Sequence, residues 1–175
     1  MNKAVFLDRD GVINEVKSER VRFVNKPEDF HFLESSKQAM AKLDHAGYDL
    51  FVVTNQGGVG LGYMTKEMLD EIHKKMTEEI KEAGATIKEV KACIHKPHEG
   101  CECRKPKPGM ILDLIDRYDI DPNQSYMIGD REVDLEAGNA AGVTSLMVDD
   151  ESPLAHQSFN SLPEAVDWIL STKSS

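Results

Sequence analysis

Short apolar segments alternate with amphipathic ones along the chain, and this alternation limits the available folds more than any other feature. The apolar segments predict buried strands at residues 3–8, 49–54, 88–94, 125–130 and 144–148. Apolar residues at helical spacing predict helices at residues 35–47, 65–84, 110–118, 132–141 and 161–170. Because strands that alternate with helices pair in parallel and are covered on both faces, the sequence predicts an α/β fold with a doubly wound, Rossmann-like parallel sheet.

The predicted elements follow one another without a low-complexity linker, which indicates a single domain. A chain of 175 residues has the length of one ordinary domain. The segments between the predicted strands are too short to hold a large inserted cap domain. We therefore expect residues 1–175 to form one domain with an open ligand site, covered only where residues 14–26 or the cysteine-rich loop at about 93–103 reach over it.

The charge balance excludes some partners. Lys and Arg number 21 and Asp and Glu number 31, which gives a formal net charge of −10. A chain this acidic is a poor nucleic-acid binder, because the phosphate backbone requires a basic face. Its apolar segments are too short to cross a bilayer or to form the core of a signal peptide. We expect a monomeric, cytoplasmic protein that binds neither nucleic acid nor membrane.

Polar side chains gather where the predicted strands end, which is where parallel sheets of this kind bind their ligands. They are Asp8 and Asp10 after the first strand, Thr54, Asn55 and Gln56 after the second, Arg104 and Lys105 in the loop before the fourth, and Asp130 and Arg131 after the fourth, with Asp134 one helical turn further on.

Carboxylates that converge at one edge of a sheet require a cation. Oxygen ligands without nearby His or Cys favour Mg²⁺, which keeps several waters and shares its coordination shell with a substrate phosphate. An Asp carboxylate can also attack phosphorus. Each motif alone is most often a simple turn, and an EF-hand is excluded because its required glycine would fall on Ile13. Their occurrence in order, each at the end of a strand, favours phosphate chemistry.

The four motifs FLDRDG, VVTNQ, CRKP and IGDREVD resemble, in order, those of the haloacid dehalogenase superfamily of phosphatases, over about residues 3–150. The resemblance implies that Asp8 is the nucleophile and Asp10 the general acid and base. It also implies that Asp8, the backbone carbonyl of Asp10 and Asp130 bind Mg²⁺. A metal that touches the Asp8 carboxylate but not the Asp10 carboxylate would keep Asp8 ionised and leave Asp10 able to hold a proton.

The same resemblance implies that Thr54 and the lysine of the third motif hold the phosphoryl group. Lys105 matches that motif best, although Lys107 is close enough in sequence to remain an alternative. Asn55 and Gln56, beside Thr54, are expected to contact substrate.

Three cysteines and a histidine lie close together in the chain. Cys93, His95, Cys101 and Cys103 offer three thiolates and an imidazole, a common tetrahedral zinc set. His98 is a further nitrogen candidate, and three free thiols are the alternative. Because four protein ligands leave no open position, this Zn²⁺ would be structural.

The stretch CIHKPHEGCECRKPKPGM resembles the zinc loop of one family within that superfamily, the D-glycero-D-manno-heptose 1,7-bisphosphate phosphatases. Histidinol-phosphate phosphatases carry a similar loop. It implies Mg²⁺-dependent hydrolysis of a phosphorylated sugar through an aspartyl-phosphate, with Arg104 and Arg131 on the substrate. The segment after the first motif, residues 14–22, departs from the short polar stretch ending in an aromatic residue that holds the sugar in the heptose family.

Two other functions remain open at this point. The first is the hydrolysis of histidinol phosphate. The second is a catalytically silent module that binds a partner through the zinc loop, although the presence of both Asp8 and Asp10 argues against it.

Overall fold

The computed structural model describes residues 1–173 and contains a six-stranded sheet in which every neighbouring pair is parallel. The strands are β1 Ala4–Leu7, β2 Asp49–Asn55, β3 Ile87–Cys93, β4 Tyr126–Gly129, β5 Thr144–Val148 and β6 Gln157–Phe159. Their spatial order is β3-β2-β1-β4-β5-β6. The α/β doubly wound sheet predicted from the sequence is therefore confirmed.

Helices cover both faces of this sheet. They are α1 Ser36–His45, α2 Lys66–Glu82, α3 Gly109–Arg117, α4 Glu132–Ala141 and α5 Leu162–Lys173. Within residues 1–173, no helix is both long enough and apolar enough to cross a membrane. The predicted single domain over residues 1–175 includes residues 174 and 175, which lie outside the described part of the chain.

The core divides into two clusters, one on each face of the sheet. Along β1, Val5 and Leu7 pack into the cluster that contains α1, α2 and α5, while Ala4 and Phe6 pack into the cluster that contains α3 and α4. All four side chains are fully buried. A strand buried on both faces is a near-continuous apolar run, which is why the segment before Asp8 is a clear strand signal in the sequence.

The connections of β1 create the switch point of the sheet. The chain leaves β1 to build β2 and β3 on one side, then returns to place β4 on the other side of β1. The carboxyl ends of β1, β2 and β4 are therefore neighbours, and the Asp8 N–H donates to the Ile128 carbonyl at 3.0 Å. Ligands of such sheets bind at this position.

The sixth strand, β6, is absent from the sequence prediction. It is three residues long, forms the edge of the sheet and, among residues 1–173, pairs with β5 alone, through Leu146 to Val148. Its sequence, QSF, is mainly polar and partly exposed, so neither apolar content nor alternation distinguishes it from a loop.

Helix α4 packs against the sheet through a glycine at its centre. A Cβ at Gly138 would overlap the Ser145 hydroxyl and approach the Met127 Cβ to 2.7 Å. The missing side chain therefore allows α4 to lie close to β4 and β5.

We expect Gly138→Ala to lower the free energy of unfolding by about 1–3 kcal/mol, because overpacking outweighs the gain in helix propensity that alanine normally brings. Urea denaturation of the two proteins measures this difference. Glu136→Ala, on the exposed side of the same helix, is the control and should change stability by less than about 0.5 kcal/mol. A stabilised Gly138→Ala protein would show that the helix has room for the methyl group.

Candidate active site

A buried ammonium group joins two carboxylates at the carboxyl edge of the sheet. Lys105 Nζ lies 2.9 Å from Asp8 Oδ1 and 2.6 Å from Asp134 Oδ1, and it donates to the Val53 carbonyl at 2.9 Å. The residue is 3% exposed. All three N–H donors of the ammonium group are thus used. Their acceptors lie on β2, directly after β1 and on α4.

A third carboxylate, Asp130, completes the cluster. Ligand oxygens of Asp8, Asp130 and Asp134 all lie within 4.8 Å of one another. Asp130 Oδ1 is buried and has no hydrogen-bond partner among residues 1–173. Three carboxylates facing one ammonium leave excess negative charge, and the donor set is entirely oxygen. Both properties suit a hard divalent cation such as Mg²⁺.

The proximity of these groups alters their ionisation. Burial, followed by the Asp134 charge, raises the pKa of Asp8 well above its usual value. The same two causes raise the pKa of Asp130 to about 6. Burial opposes the charge on Lys105, but the carboxylates of Asp8 and Asp134 outweigh it and raise the pKa of that ammonium. Lys105 therefore stays charged, and the carboxyl groups gain from a bound cation.

Asp10 lies in a separate hydrogen-bond network. Its Oδ1 accepts from Arg9 Nε at 2.9 Å and from Asn14 Nδ2 at 3.0 Å, and its Oδ2 accepts from Gln56 Nε2 at 3.3 Å. Burial opposes ionisation, but the Arg9 charge and these donors prevail and lower the pKa of Asp10.

The sequence-based expectation for the pKa values of Asp8 and Asp10 concerns the site with its metal bound. It is that a metal on Asp8 keeps that carboxyl ionised and leaves Asp10, whose side chain does not touch the metal, able to hold a proton. The protein groups alone give the opposite order, because Asp8 is buried among carboxylates and Asp10 is surrounded by donors. A cation bound at Asp8 would lower the pKa of that carboxyl, as the expectation for the metal-bound site requires.

The polar residues at the end of β2 have protein partners. The Thr54 hydroxyl is 1% exposed and accepts from Gln56 Nε2 at 2.8 Å. Asn55 clamps the backbone of Lys105, accepting from its N–H at 3.0 Å and donating to its carbonyl at 3.1 Å. Asn55 and Gln56, predicted to contact substrate, thus use their amides to hold Lys105 and Asp10 in position.

The structure brings Lys105, not Lys107, to the carboxylates. Lys107 Nζ donates to the Cys101 carbonyl at 2.7 Å and is 44% exposed, so it supports the loop. Arg104 and Arg131 line a cavity of about 400 Å³ beside Lys105. Arg104 Nη1 is buried without a hydrogen-bond partner among residues 1–173, which suits it to an anion from outside the chain.

A second cavity, of about 380 Å³, opens directly over Asp8 and is lined in part by the segment after β1. Lys17 and Phe23 contribute to its wall, and Phe23 is 55% exposed. Phe23 follows residues 14–22 directly, so the segment does end in an aromatic residue at the site.

The sulfurs of the cysteine-rich loop converge. Cys93 Sγ lies 3.5 Å from Cys101 Sγ and also contacts Cys103 Sγ. Burial raises the pKa of the Cys93 thiol to about 12. At Cys101, burial also opposes ionisation, but hydrogen bonds from the Arg104 N–H and the neighbouring thiols outweigh it and lower the pKa of that thiol to about 7. Thiol ligands suit a soft metal such as Zn²⁺. His95, the predicted fourth ligand, lies apart with Nδ1 3.6 Å from Glu99.

Two contributors to the site have no assigned role in the sequence analysis. Asp134 binds Lys105 from α4; it is the last residue of the fourth motif, IGDREVD, and lies one helical turn after Asp130. Arg9, within the first motif, is fully buried and contacts His73 of α2 at 3.0 Å. The Arg9–His73 contact has no sequence signal, because it depends on how α2 packs.

Comparison with known proteins points to one group of enzymes. A family model described as HAD-hydrolase-like matches residues 102–169. The D-glycero-beta-D-manno-heptose-1,7-bisphosphate 7-phosphatase of Helicobacter pylori strain J99 is 36% identical over 173 residues, which covers 96% of this chain and 97% of the relative. The enzyme of the same name from Neisseria meningitidis serogroup A is 41% identical over 140 residues, or 80% of this chain and 73% of the relative.

A solved structure agrees with these relatives. The D,D-heptose 1,7-bisphosphate phosphatase from B. bronchiseptica, crystallised with magnesium and phosphate, superposes with a TM-score of 0.89 at 32% identity. The match covers 97% of this chain and 99% of that one.

The central position of Lys105 makes its removal costly. We expect Lys105→Met to lower the free energy of unfolding by about 3–5 kcal/mol, because the Asp8 and Asp134 carboxylates lose their buried counterion. The loss should be larger at about pH 8 than at about pH 5, since a carboxyl whose pKa is raised in the folded state binds protons that stabilise that state as pH falls.

Urea denaturation at the two pH values measures both effects. Lys107→Met is the control, because its exposed ammonium should contribute less than about 0.5 kcal/mol. A Lys105→Met protein whose loss of stability does not vary with pH would contradict the proposed buried charge balance.

Proposed function

The chain belongs to the haloacid dehalogenase-like hydrolases and, among them, to the family of heptose 1,7-bisphosphate phosphatases, and on this premise we propose that it removes the 7-phosphate of D-glycero-β-D-manno-heptose 1,7-bisphosphate with Mg²⁺. The observation that carries the proposal is the Lys105-centred carboxylate cluster at the switch point. It occurs in a chain 36% identical to such an enzyme over 96% of its length. Cytoplasmic location and a monomeric state stay predictions from the sequence.

We assign the first chemical step to Asp8. Its carboxylate oxygen forms a bond to the phosphorus of the 7-phosphate, the bond from phosphorus to the sugar oxygen breaks, and Asp10 gives that oxygen a proton. Water then attacks the phosphorus of the aspartyl-phosphate, and Asp10 accepts its proton. This restores Asp8 and releases inorganic phosphate.

The cation site would be formed by Asp8, Asp130 and the backbone carbonyl of Asp10. A bound Mg²⁺ supplies positive charge to the phosphoryl oxygens and to the carboxyl groups around them. Thr54 and Lys105 hold the phosphoryl oxygens from the protein side. A phosphate at Asp8 also brings negative charge beside Asp10, which raises the pKa of that carboxyl towards the range a general acid needs.

Arg104 and Arg131 suit the second phosphate. Both line the cavity next to Lys105, and the Arg104 guanidinium has a buried nitrogen without a partner among residues 1–173. A guanidinium binds a phosphate through two parallel hydrogen bonds, so these two residues favour a bisphosphate. Histidinol phosphate, which has a single phosphate, makes less use of them. A silent binding module is disfavoured because both Asp8 and Asp10 are present.

We also propose a structural Zn²⁺ at Cys93, Cys101 and Cys103, with His95 as the fourth ligand after its side chain turns from Glu99. Support comes from the convergence of the three sulfurs and from the position of the loop, which continues directly into Arg104 and Lys105. A metal there would fix the loop that carries the phosphate ligands.

Release of phosphate from the heptose bisphosphate tests the assigned reaction. We expect Asp8→Asn to fold normally and to lose at least about 1,000-fold in kcat, because an amide does not attack phosphorus. Asp70→Asn, an exposed substitution on α2, should retain full activity. Substantial activity in Asp8→Asn would reject the nucleophile, and faster turnover of histidinol phosphate than of the bisphosphate would reject the substrate.

Elemental analysis of protein purified without added metal tests the zinc site. We expect one zinc per chain, and we expect Cys101→Ser to lose most of it together with thermal stability and activity. His95→Ala should lose less zinc than Cys101→Ser, because the three thiolates remain. Protein without zinc and with three freely titrating thiols would contradict the site.

A further inference from the structure

A buried arginine connects Asp10 to a histidine outside the motifs. Arg9 is 0% exposed, and its Nε and Nη2 each lie 2.9 Å from Asp10 Oδ1. Its Nη1 lies 3.0 Å from Nε2 of His73, on α2. The Phe30 ring, with its centroid 6.0 Å from the guanidinium carbon, forms part of the apolar surroundings.

The chemistry of arginine fixes the state of His73. A guanidinium only donates, so His73 Nε2 must accept, and the ring is neutral with its proton on Nδ1. Burial, followed by the Arg9 charge, lowers the pKa of His73 to about 3. The imidazole is therefore a permanent hydrogen-bond acceptor at neutral pH.

Gln56 closes the network on the other side. Its Oε1 accepts from Arg9 Nη2 at 3.2 Å, and its Nε2 donates to Asp10 Oδ2 at 3.3 Å. Arg9 thus donates directly to one oxygen of Asp10 and also contacts the amide that donates to the other oxygen. Asn14 Nδ2 is a further donor to Oδ1 at 3.0 Å, and Gln56 Nε2 also contacts the Thr54 hydroxyl at 2.8 Å. In a fully buried guanidinium, an Nη1 without an acceptor would cost desolvation free energy and favour a shifted side chain.

We propose that His73 is a positioning residue: by accepting from Arg9 it fixes the guanidinium, and so fixes the direction in which Asp10 presents its carboxyl to the leaving oxygen. The proposal rests on the proposed role of Asp10 as the general acid. The simpler possibility is that His73 only satisfies a buried arginine and supports the fold.

The need for a general acid depends on the leaving group, which separates these two roles. A sugar alkoxide leaves poorly and needs the proton of Asp10, whereas 4-nitrophenolate leaves readily without one. The ratio kcat/KM reports only the steps up to phosphorylation of Asp8, so it isolates leaving-group departure from hydrolysis of the intermediate. A structural defect would lower kcat/KM for both esters alike.

The experiment compares kcat/KM for heptose 1,7-bisphosphate and 4-nitrophenyl phosphate in His73→Leu, His73→Gln and Asp10→Asn. We expect His73→Leu to lose about 10- to 100-fold with the bisphosphate and less than about 3-fold with the aryl ester. His73→Gln should recover most of the loss, because its amide oxygen can accept from Arg9. His45→Leu, an exposed histidine on α1, is the control and should change neither value.

Equal losses with both esters, or no loss in His73→Leu, would overturn the proposal. Should His73→Leu fail to fold, His73→Phe, which keeps a ring but no acceptor, takes its place: a loss confined to the bisphosphate supports the positioning role, and equal losses with both esters reject it. Asp10→Asn separates this proposal from the one it rests on, since it should lose activity selectively with the bisphosphate. If Asp10→Asn is not selective, the general-acid assignment itself fails and the role of His73 fails with it.

Discussion

The ion pairs of Lys105 determine how the rest of the site is arranged. A buried ammonium is unfavourable unless carboxylates and carbonyls surround it closely, and Lys105 is in contact with Asp8, Asp134 and the Val53 carbonyl. These contacts connect the ends of β1 and β2, helix α4 and the loop after β3. Asn55 adds two hydrogen bonds to the Lys105 backbone. The loop that carries Arg104 is therefore fixed at the edge of the sheet by electrostatics and by the polar end of β2.

Two buried cations organise the two carboxylates of the first motif in different ways. Lys105 contacts Asp8 within a cluster of excess negative charge, so Asp8 gains from a divalent cation. Arg9 contacts Asp10 within a network of donors, so Asp10 is ionised until a ligand changes its surroundings. Two acids separated by a single residue thus have opposite environments. That difference is what the proposed roles of nucleophile for Asp8 and general acid for Asp10 require once metal and phosphate are bound.

The sequence predicted the order of the central elements because their physical signals are local. The segment before Asp8 is an uninterrupted apolar run that only a strand buried on both faces explains, and α2 begins at its predicted N-terminal end with the Thr65 hydroxyl accepting from the Met68 N–H. The edge strand β6 had no such signal, since three polar or half-exposed residues gain their strand conformation only from pairing with β5. The parallel direction of the strands follows from the alternation of strands and helices, which is visible in the sequence, whereas the spatial order that makes β1 the switch point comes from the structure.

By itself, the sequence determined the residue types and their order: carboxylates and a hydroxyl at the ends of strands, and a lysine in the loop between the third and fourth strands. Tertiary structure decided which of these groups touch. It selected Lys105 over Lys107, because one ammonium is enclosed by carboxylates and the other reaches a loop carbonyl. It placed His73 against Arg9 across 64 positions of chain, and it left His95 apart from the three sulfurs. Contacts of this kind depend on the packing of distant segments, and local pattern carries no information about that packing.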